Sequence, residues 1–411
     1  MNEIVNVALV GAGGYGDFYL RALAAGAVEH GVKLVGVVDP TVAGTPIAEK
    51  LSAANIPLYP TLDALWQVAT AQLVVIAAPI QFHSTYTRAA LALGANVLCE
   101  KPLCATLQEA AEMQAARQQH GGFVGVGYQW SFSAAMGALK ADILAGRLGT
   151  PRRCKAIVLW PRTAVYYGRN NWAGRLRMPD GRWVLDSPVS NATAHYLHNL
   201  FYLLGDRRES SAQPVTIQAE LYHANPIQNC DTAALRCTTA NGVEILYYTS
   251  HAVPELDGPR FQLEFDDAVV TYRSNSGSAS TLGPIVATLG NGEQKVYGDP
   301  FAEDAGKLWQ CADAVRTGAS VACDLLAATA HVRTANGMHE SMPAIQRFPA
   351  DLIQQRDDLT WVTGLQETLM ACYEQNLLPS TVGNVTWASA GRIVNLADYT
   401  TFPQDPTLVT G

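Results

Sequence analysis

The stretch NVALVGAGGYG, residues 6–16, decides the fold of this chain. Its first half is a short apolar run that reads as a strand, and the run stops at glycine. Gly11, Gly13 and Gly16 then fall in the pattern GxGxxG, with Ala12, Gly14 and Tyr15 between them. Gly11 permits the tight turn, Gly13 lets the backbone approach a pyrophosphate, and Gly16 allows close helix packing. GDFYLRALAAGAV follows with helical spacing, so a helix N-terminus offers N–H groups and a positive dipole end to phosphates. Alone the motif is weak; between a strand and a helix it is a nucleotide-binding turn.

The alternation continues from there. KLVGVVDP (33–40), AQLVVIAAP (71–79), ANVLCEKP (95–102) and FVGVGYQW (123–130) read as strands. PIAEKLSAANI, FHSTYTRAALALG and TLQEAAEMQAARQQHG read as the helices between them, the last opened by a capping box of Thr106 and Glu109. Near-continuous apolar strands alternating with helices imply a doubly wound parallel sheet covered on both faces. Asp39 closes the second strand, placed to accept hydrogen bonds from ribose hydroxyls, and PTVAGTPIAE after it holds no Arg or Lys for a 2′-phosphate. NAD is therefore expected rather than NADP.

Composition sets the outer limits. The chain has 411 residues, 48% hydrophobic and 16% charged, with a formal net charge of −8. That excludes a general nucleic-acid binder and a membrane-surface protein, which need a basic face. No apolar run reaches the ~18 residues of a membrane span, and MNEIVNVALVGAGG has no basic leader segment. A cytoplasmic location is expected. The eight cysteines are scattered without a CxxC pair, which reads as free thiols and no metal site.

Glu100-Lys101-Pro102 ends a parallel strand, the end at which doubly wound sheets bind ligands. Pro102 fixes the turn that presents Lys101. A salt-bridged surface lysine is the competing reading. Together with GAGGYG, Asp39 and AAPIQFHSTYTRAALALG, this segment resembles the glucose–fructose oxidoreductase / inositol dehydrogenase family. The resemblance covers residues 5–130 strongly and runs more loosely to about residue 345. It implies a Rossmann domain, residues 1–128, and a C-terminal α/β domain, residues 129–411. The second domain would carry a large, mostly antiparallel, open-faced sheet; the tail from about 350 to 411, which reads as holding one helix in WVTGLQETLMACYEQN, is a helical extension beyond the resemblance. The open face would form a homodimer or homotetramer contact. It also implies hydride transfer at a sugar or cyclitol carbon, with Lys101 contacting the reacting hydroxyl. Cofactor contacts are then expected from Gly11, Gly13, Gly14, Tyr15, Gly16, Asp39, Pro79, His83, Glu100 and Lys101.

DSPVSNATAHYLHNLFYLLG, residues 186–205, carries the other half of the expected chemistry. Asn191, His195, His198 and Tyr202 fall at steps of four, three and four, one stripe of an otherwise apolar helix. Buried polar groups cost free energy unless they find partners, and the resemblance implies that the stripe faces a substrate between the domains. The resemblance implies an Asp-x-x-x-His pair here. His195 matches the histidine, but Asn191 stands at the aspartate, and an amide cannot take a proton. His195 is left as the general base, with Asp186 a candidate for the missing carboxylate. Two histidines that only satisfy interior hydrogen bonds are the alternative.

Residues 151–182 form a basic, aromatic arm with Arg152, Arg153, Lys155, Arg162, Arg169, Arg175, Arg177 and Arg182 against the single acid Asp180. Trp160, Tyr166, Tyr167 and Trp172 are interleaved. Aromatic faces suit a pyranose and guanidinium forks suit carboxylate or phosphate, so an anionic or glycosidic sugar is one reading. A grip on a neighbouring subunit is the other. The substrate contacts expected are Lys101, Tyr128, Trp130, Arg162, Tyr166, Trp172, Asp186, Asn191, His195 and His198. Three functions follow: an NAD-dependent dehydrogenase of a sugar, sugar acid or cyclitol; a glycoside hydrolase working through transient C3 oxidation; and a non-catalytic NAD-binding regulator. Intact Lys101 and His195 count against the last.

Overall fold

The computed structural model describes residues 3–274, 283–303 and 305–410, and these divide into two compact units. The first is Met1–Cys104, Gln108–Phe132 and Glu303–Ala328; the second is Ala105–Leu107, Ser133–Ala302 and Thr329–Gly411. The expected boundary after residue 128 therefore falls a few residues early. Residues 303–328, expected in the second domain, cluster with the first.

In the first unit, β1 (Val5–Val10), α1 (Tyr15–Gly26), β2 (Val32–Val38), α2 (Pro46–Ala53), β3 (Leu58–Tyr59), α3 (Leu62–Trp66) and β4 (Leu73–Ile76) come first. They are followed by α4 (His83–Ala92), β5 (Asn96–Cys99), α5 (Leu107–His120) and β6 (Val124–Val126). The six strands pair parallel in the order β3-β2-β1-β4-β5-β6. The winding reverses between β1 and β4, which opens a crevice at the carboxyl ends of those strands. Leu73–Ile76 is completely buried, as a strand covered on both faces requires.

The second unit contains α6 (Ala134–Leu144), β7 (Pro151–Leu159), α7 (Ala164–Gly168), α8 (Ala194–Leu203), β8 (Pro214–His223), β9 (Thr232–Thr239) and β10 (Glu244–Ser250). Then come β11 (Asp257–Phe265), β12 (Ala268–Arg273), β13 (Ile285–Leu289) and β14 (Gln294–Gly298). Helix α9 (Gly306–Thr317) belongs to the first unit, and α10 (Leu325–Ser341) leads back into the second. The tail adds β15 (Gln346–Arg347), β16 (Ile353–Arg356), β17 (Leu359–Val362), α11 (Leu365–Gln375), β18 (Val394–Asn395) and α12 (Thr407–Thr410). The large sheet runs β14-β13-β12-β11-β7-β10-β9-β8-β15, with β18 on β8. Only β7·β10 and β8·β15 are parallel, so the sheet is mostly antiparallel as expected.

One face of that sheet packs on the α8 segment: Tyr247 Oη donates to Thr193 O at 2.8 Å, and the Thr193 and Thr249 hydroxyls meet at 3.2 Å. The other face departs from expectation. Over β7–β10 it is covered by the chain's own tail. Ile157, Leu159, Leu246 and Tyr248 share a buried cluster with Leu365, Leu369 and Tyr373. Lys155 Nζ donates to Tyr373 O and Tyr248 Oη to Leu377 O, both at 2.8 Å. The cause is apolar surface: each such side chain gains about 1.5–3 kcal/mol when buried. On β12 the same face carries exposed Val269, Thr271 and Arg273 and has no such cover. No helix among the described residues is long and apolar enough to cross a membrane.

Candidate active site

The glycine turn is built as the motif requires. Gly11 has φ +88°, and a Cβ there would lie 2.7 Å from Ala77 O; one on Gly16 would lie 2.1 Å from Gly11 O. Side chains at Gly13 and Gly14 would meet nothing closer than 4.0 Å. The turn is therefore closed behind and open in front. Gly14 caps α1 without a side-chain hydrogen bond, so no capping side chain stands between the helix N-terminus and a phosphate, although the Gly16 N–H donates to Gly13 O at 2.9 Å and the Asp17 N–H to Gly14 O at 3.3 Å. Tyr15, the first helical residue, is 40% exposed. Asp39 Oδ2 accepts the Ala12 N–H at 2.9 Å, while Oδ1 accepts the Thr41 N–H at 2.9 Å and its hydroxyl at 2.7 Å. One carboxylate thus ties the glycine turn to the end of β2. A cradle with no side chain in front of it, a bare helix N-terminus and an acid at the second strand's end fit NAD.

The β4 and β5 ends hold further residues expected at the cofactor. Pro79 is exposed and opens the turn before α4. His83 is buried, its Nδ1 lying 2.8 Å from Pro102 O and its Nε2 2.8 Å from Ala78 O. Burial holds its pKa down, so the neutral ring donates one N–H across this bracket. Glu100 is also buried; it pairs with Lys307 Nζ, accepts from Tyr19 Oη at 2.6 Å, and accepts the Lys101 N–H at 3.1 Å. Both were expected to touch the cofactor; instead they fix the turn that carries Lys101, because their polar atoms are committed inside the unit. Lys307, which nothing in its local sequence marks, neutralises Glu100 from 207 residues away. Lys101 itself is half-buried. Tyr128 and Trp130, expected at the substrate, are buried, at 0% and 1% exposed.

In the second unit the expected stripe is broken. Residues Pro188–Ala192 form one π-helical turn, capped by Ser187, whose Oγ accepts the Ser190 N–H at 3.1 Å. Thr193 interrupts the helix, and α8 starts only at Ala194. His195 sits in its first turn, half-buried. His198 is fully buried, stacked on Tyr202 at 5.8 Å, and burial beside His331 and Lys140 holds its pKa well below the usual histidine range. It is an interior neutral histidine, not a substrate contact, because α8 is covered on that side too.

Asp186 follows Leu185, which is held at φ +49° with its N–H on Leu176 O at 3.1 Å. The Asp186 carboxylate is 2% exposed and fully engaged. It accepts the Gly174 N–H at 2.7 Å and Asn191 Nδ2 at 2.8 Å, and Arg169 Nη2 lies 3.6 Å away. A carboxylate therefore stands directly behind Asn191 and fixes the orientation of its amide.

The basic arm folds back within the same unit. Its charged and aromatic side chains alternate: Arg162 lies 5.5 Å from the Trp160 ring and 5.1 Å from Tyr166, and Arg169 lies 3.7 Å from Tyr166 and 5.1 Å from Trp172. The Trp160 ring meets Tyr196, next to His195, edge-on at 5.6 Å. Arg169 and Gly174 were not singled out as site residues, although both lie in the arm; their partner Asp186 is remote enough in sequence to hide the link.

Residues 5–128 match the model of the oxidoreductase family with an NAD-binding Rossmann fold. The chain is 34% identical over 150 residues to inositol 2-dehydrogenase from Acidothermus cellulolyticus, covering 36% of this chain and 42% of that protein. It is 27% identical over 244 residues to inositol 2-dehydrogenase from Ralstonia nicotianae, covering 59% and 66%. It thus spans less than two thirds of the length of these relatives. Its fold is similar to that of the WlbA dehydrogenase from Bordetella pertussis, solved with NADH and UDP-GlcNAcA (TM-score 0.66, 17% identity, 83% of this chain and 97% of that one). With its glycine cradle, Asp39 and the strand order around them, the segment of residues 5–128 is similar to the NAD-binding Rossmann domain of this oxidoreductase family.

Proposed function

We propose that the protein is an NAD-dependent dehydrogenase acting on a hydroxyl-bearing carbon of a sugar, sugar acid or cyclitol. The observation that carries this reading is the pairing of Asp186 with Asn191 four residues before His195. The position that lacks a carboxylate has one held behind it, so the segment keeps a fixed polar group and a histidine in sequence. In this reading His195 takes the hydroxyl proton, a role that typically contributes about 10²–10⁴-fold. Lys101 stabilises the alkoxide as it forms, and Asn191 hydrogen-bonds a neighbouring hydroxyl. Gly13, Gly14 and the first turn of α1 hold the pyrophosphate, and Asp39 the adenosine ribose. NAD supplies the hydride acceptor. Arg162, Tyr166 and Trp172 line the substrate side. The named activities of the relatives, inositol 2-dehydrogenase and 1,5-anhydro-D-fructose reductase among them, support a polyol or sugar substrate.

A homodimer or homotetramer in the cytoplasm belongs to the same proposal. Because the tail covers β7–β10, the contact would use the uncovered face over β11–β14; light scattering tests it. For the reaction, purified protein is denatured to look for released NAD, then screened with free sugars, sugar acids, cyclitols and glycosides. NADH formed in step with substrate loss supports the dehydrogenase. Sugar released from a glycoside without net NADH replaces it with the redox-neutral hydrolase.

A further inference from the structure

Two guanidinium groups flank one tyrosine ring in the second unit, and only one of them has a carboxylate. Arg169 is matched by Asp186 at 3.6 Å and donates to Tyr166 O at 2.6 Å. Arg162 forms no ion pair within 4.0 Å among the described residues. Its hydrogen bonds are a long one to Pro161 O at 3.5 Å and one to the Tyr166 side chain, and its buried Nε has no partner. The floor beneath is His251, 1% exposed and edge-on to Tyr166 at 5.5 Å. Its Nδ1–H donates to Trp160 O at 2.8 Å, which leaves Nε2 as an acceptor, and Nε2 is buried without a partner. Burial and the two arginines push its pKa down to about 3, so this histidine adds no charge of its own. The place therefore carries one surplus positive charge and one unused hydrogen-bond acceptor. The rings of Trp160 and Tyr166 fix the Arg162 guanidinium between them, which lowers the entropy lost when it takes a ligand.

We infer that Arg162 anchors the carboxylate of a monoanionic sugar acid, whose neighbouring hydroxyl is the donor that complements His251. The inference rests on the reading of this segment as the substrate side and narrows it from sugars in general to sugar acids. One fixed guanidinium matches a planar carboxylate with a single charge. A phosphate dianion would call for a second unpaired cation, and Arg169 is already matched.

The test is equilibrium binding to the full chain, which needs no turnover. Sodium D-glucuronate and D-gluconate are titrated by calorimetry against D-glucose and D-glucose 6-phosphate, in the wild type and in R162M. A charge-assisted pair of this kind is worth roughly 10–100-fold in affinity. R162M is expected to lose that factor for the acids, to leave D-glucose unchanged, and to keep the wild-type Tm and NAD affinity. H251F is expected to weaken the acids less than R162M does. Acid binding unaffected by R162M, D-glucose or D-glucose 6-phosphate binding more tightly than either acid, or no acid binding at all overturns the subsite. Acid binding through Arg162 with no NADH formed from any bound acid leaves the subsite standing and removes the dehydrogenase. NADH formed from neutral sugars at the same rate in R162M does the reverse.

Discussion

Asn191→Asp perturbs the second unit where its wiring is tightest. In the wild type, Asn191 Nδ2 donates to Asp186 Oδ1 at 2.8 Å. The substitution replaces that donor with an oxygen, so two carboxylates face each other where one is 2% exposed. Two unit charges about 4 Å apart repel by roughly 4 kcal/mol at an effective dielectric of about 20. The Gly174 N–H and Arg169 offset part of this, leaving about 3 kcal/mol, or about 2 pK units on one member of the pair. A carboxyl whose pKa is raised in the folded state keeps its proton there after the unfolded chain has lost it. Folding then binds protons, and stability falls as pH rises from about 4 to about 6, by up to ~1.4 kcal/mol per pH unit. The assay is thermal unfolding of wild type and variant side by side across that range. At about 2–4 °C per kcal/mol, the Tm gap should open from near zero at about pH 4 to roughly 6–12 °C above about pH 6.5. A gap that does not change with pH refutes the pairing of Asp186 with Asn191. Turnover should fall as well, since Asp186 already holds the carboxylate of this segment; a rise would mean that Asn191 is a drifted aspartate position.

The remaining expectations concern single residues. Asp39→Ala should weaken NAD more than NADP and cost about 1–3 kcal/mol of stability, because Ala12 and Thr41 lose their acceptor; equal affinity of the wild type for the two cofactors, measured by fluorescence titration, would count against the ribose role. Lys307→Met leaves Glu100 charged and buried, so denaturant unfolding should show a loss of about 3–5 kcal/mol, partly recovered in the E100Q/K307M double variant; a loss below about 1 kcal/mol would make the pair incidental. Lys101→Ala should keep Tm and NAD affinity while most activity disappears, and wild-type kcat would move the chemistry elsewhere. His195→Asn should abolish the rise of oxidation rate with pH, whereas His198→Asn should lower Tm and leave the shape of that profile alone; the opposite result would exchange the two histidines' roles.

The cofactor side was legible in the sequence because its chemistry is local. Gly11, Gly13, Gly14 and Gly16 lie within one turn, and each is required by the backbone path or by the space in front of it. The alternation of strands and helices gave the parallel sheet and Asp39 its place at a strand end. Beyond that, periodicity lost its power where elements are buried on every side. Of the ten residues of α8, nine are buried, so a polar stripe facing a ligand and one facing the interior look the same in sequence. Only packing separated half-buried His195 from sealed His198. Glu100 and His83 were expected at the cofactor because the resemblance implied contacts there. Tertiary structure turned them inward, Glu100 onto a lysine 207 positions away and His83 between the carbonyls of Ala78 and Pro102. The tail's apolar side chains likewise carry no mark of which surface they will cover. The sequence by itself determined the Rossmann unit, the NAD cradle and the order of the candidate groups, since these follow from residues a few positions apart. Which polar groups remain turned toward a ligand, and which face of the large sheet the chain keeps for itself, only the tertiary structure decided, because both depend on desolvation and on partners far apart along the chain.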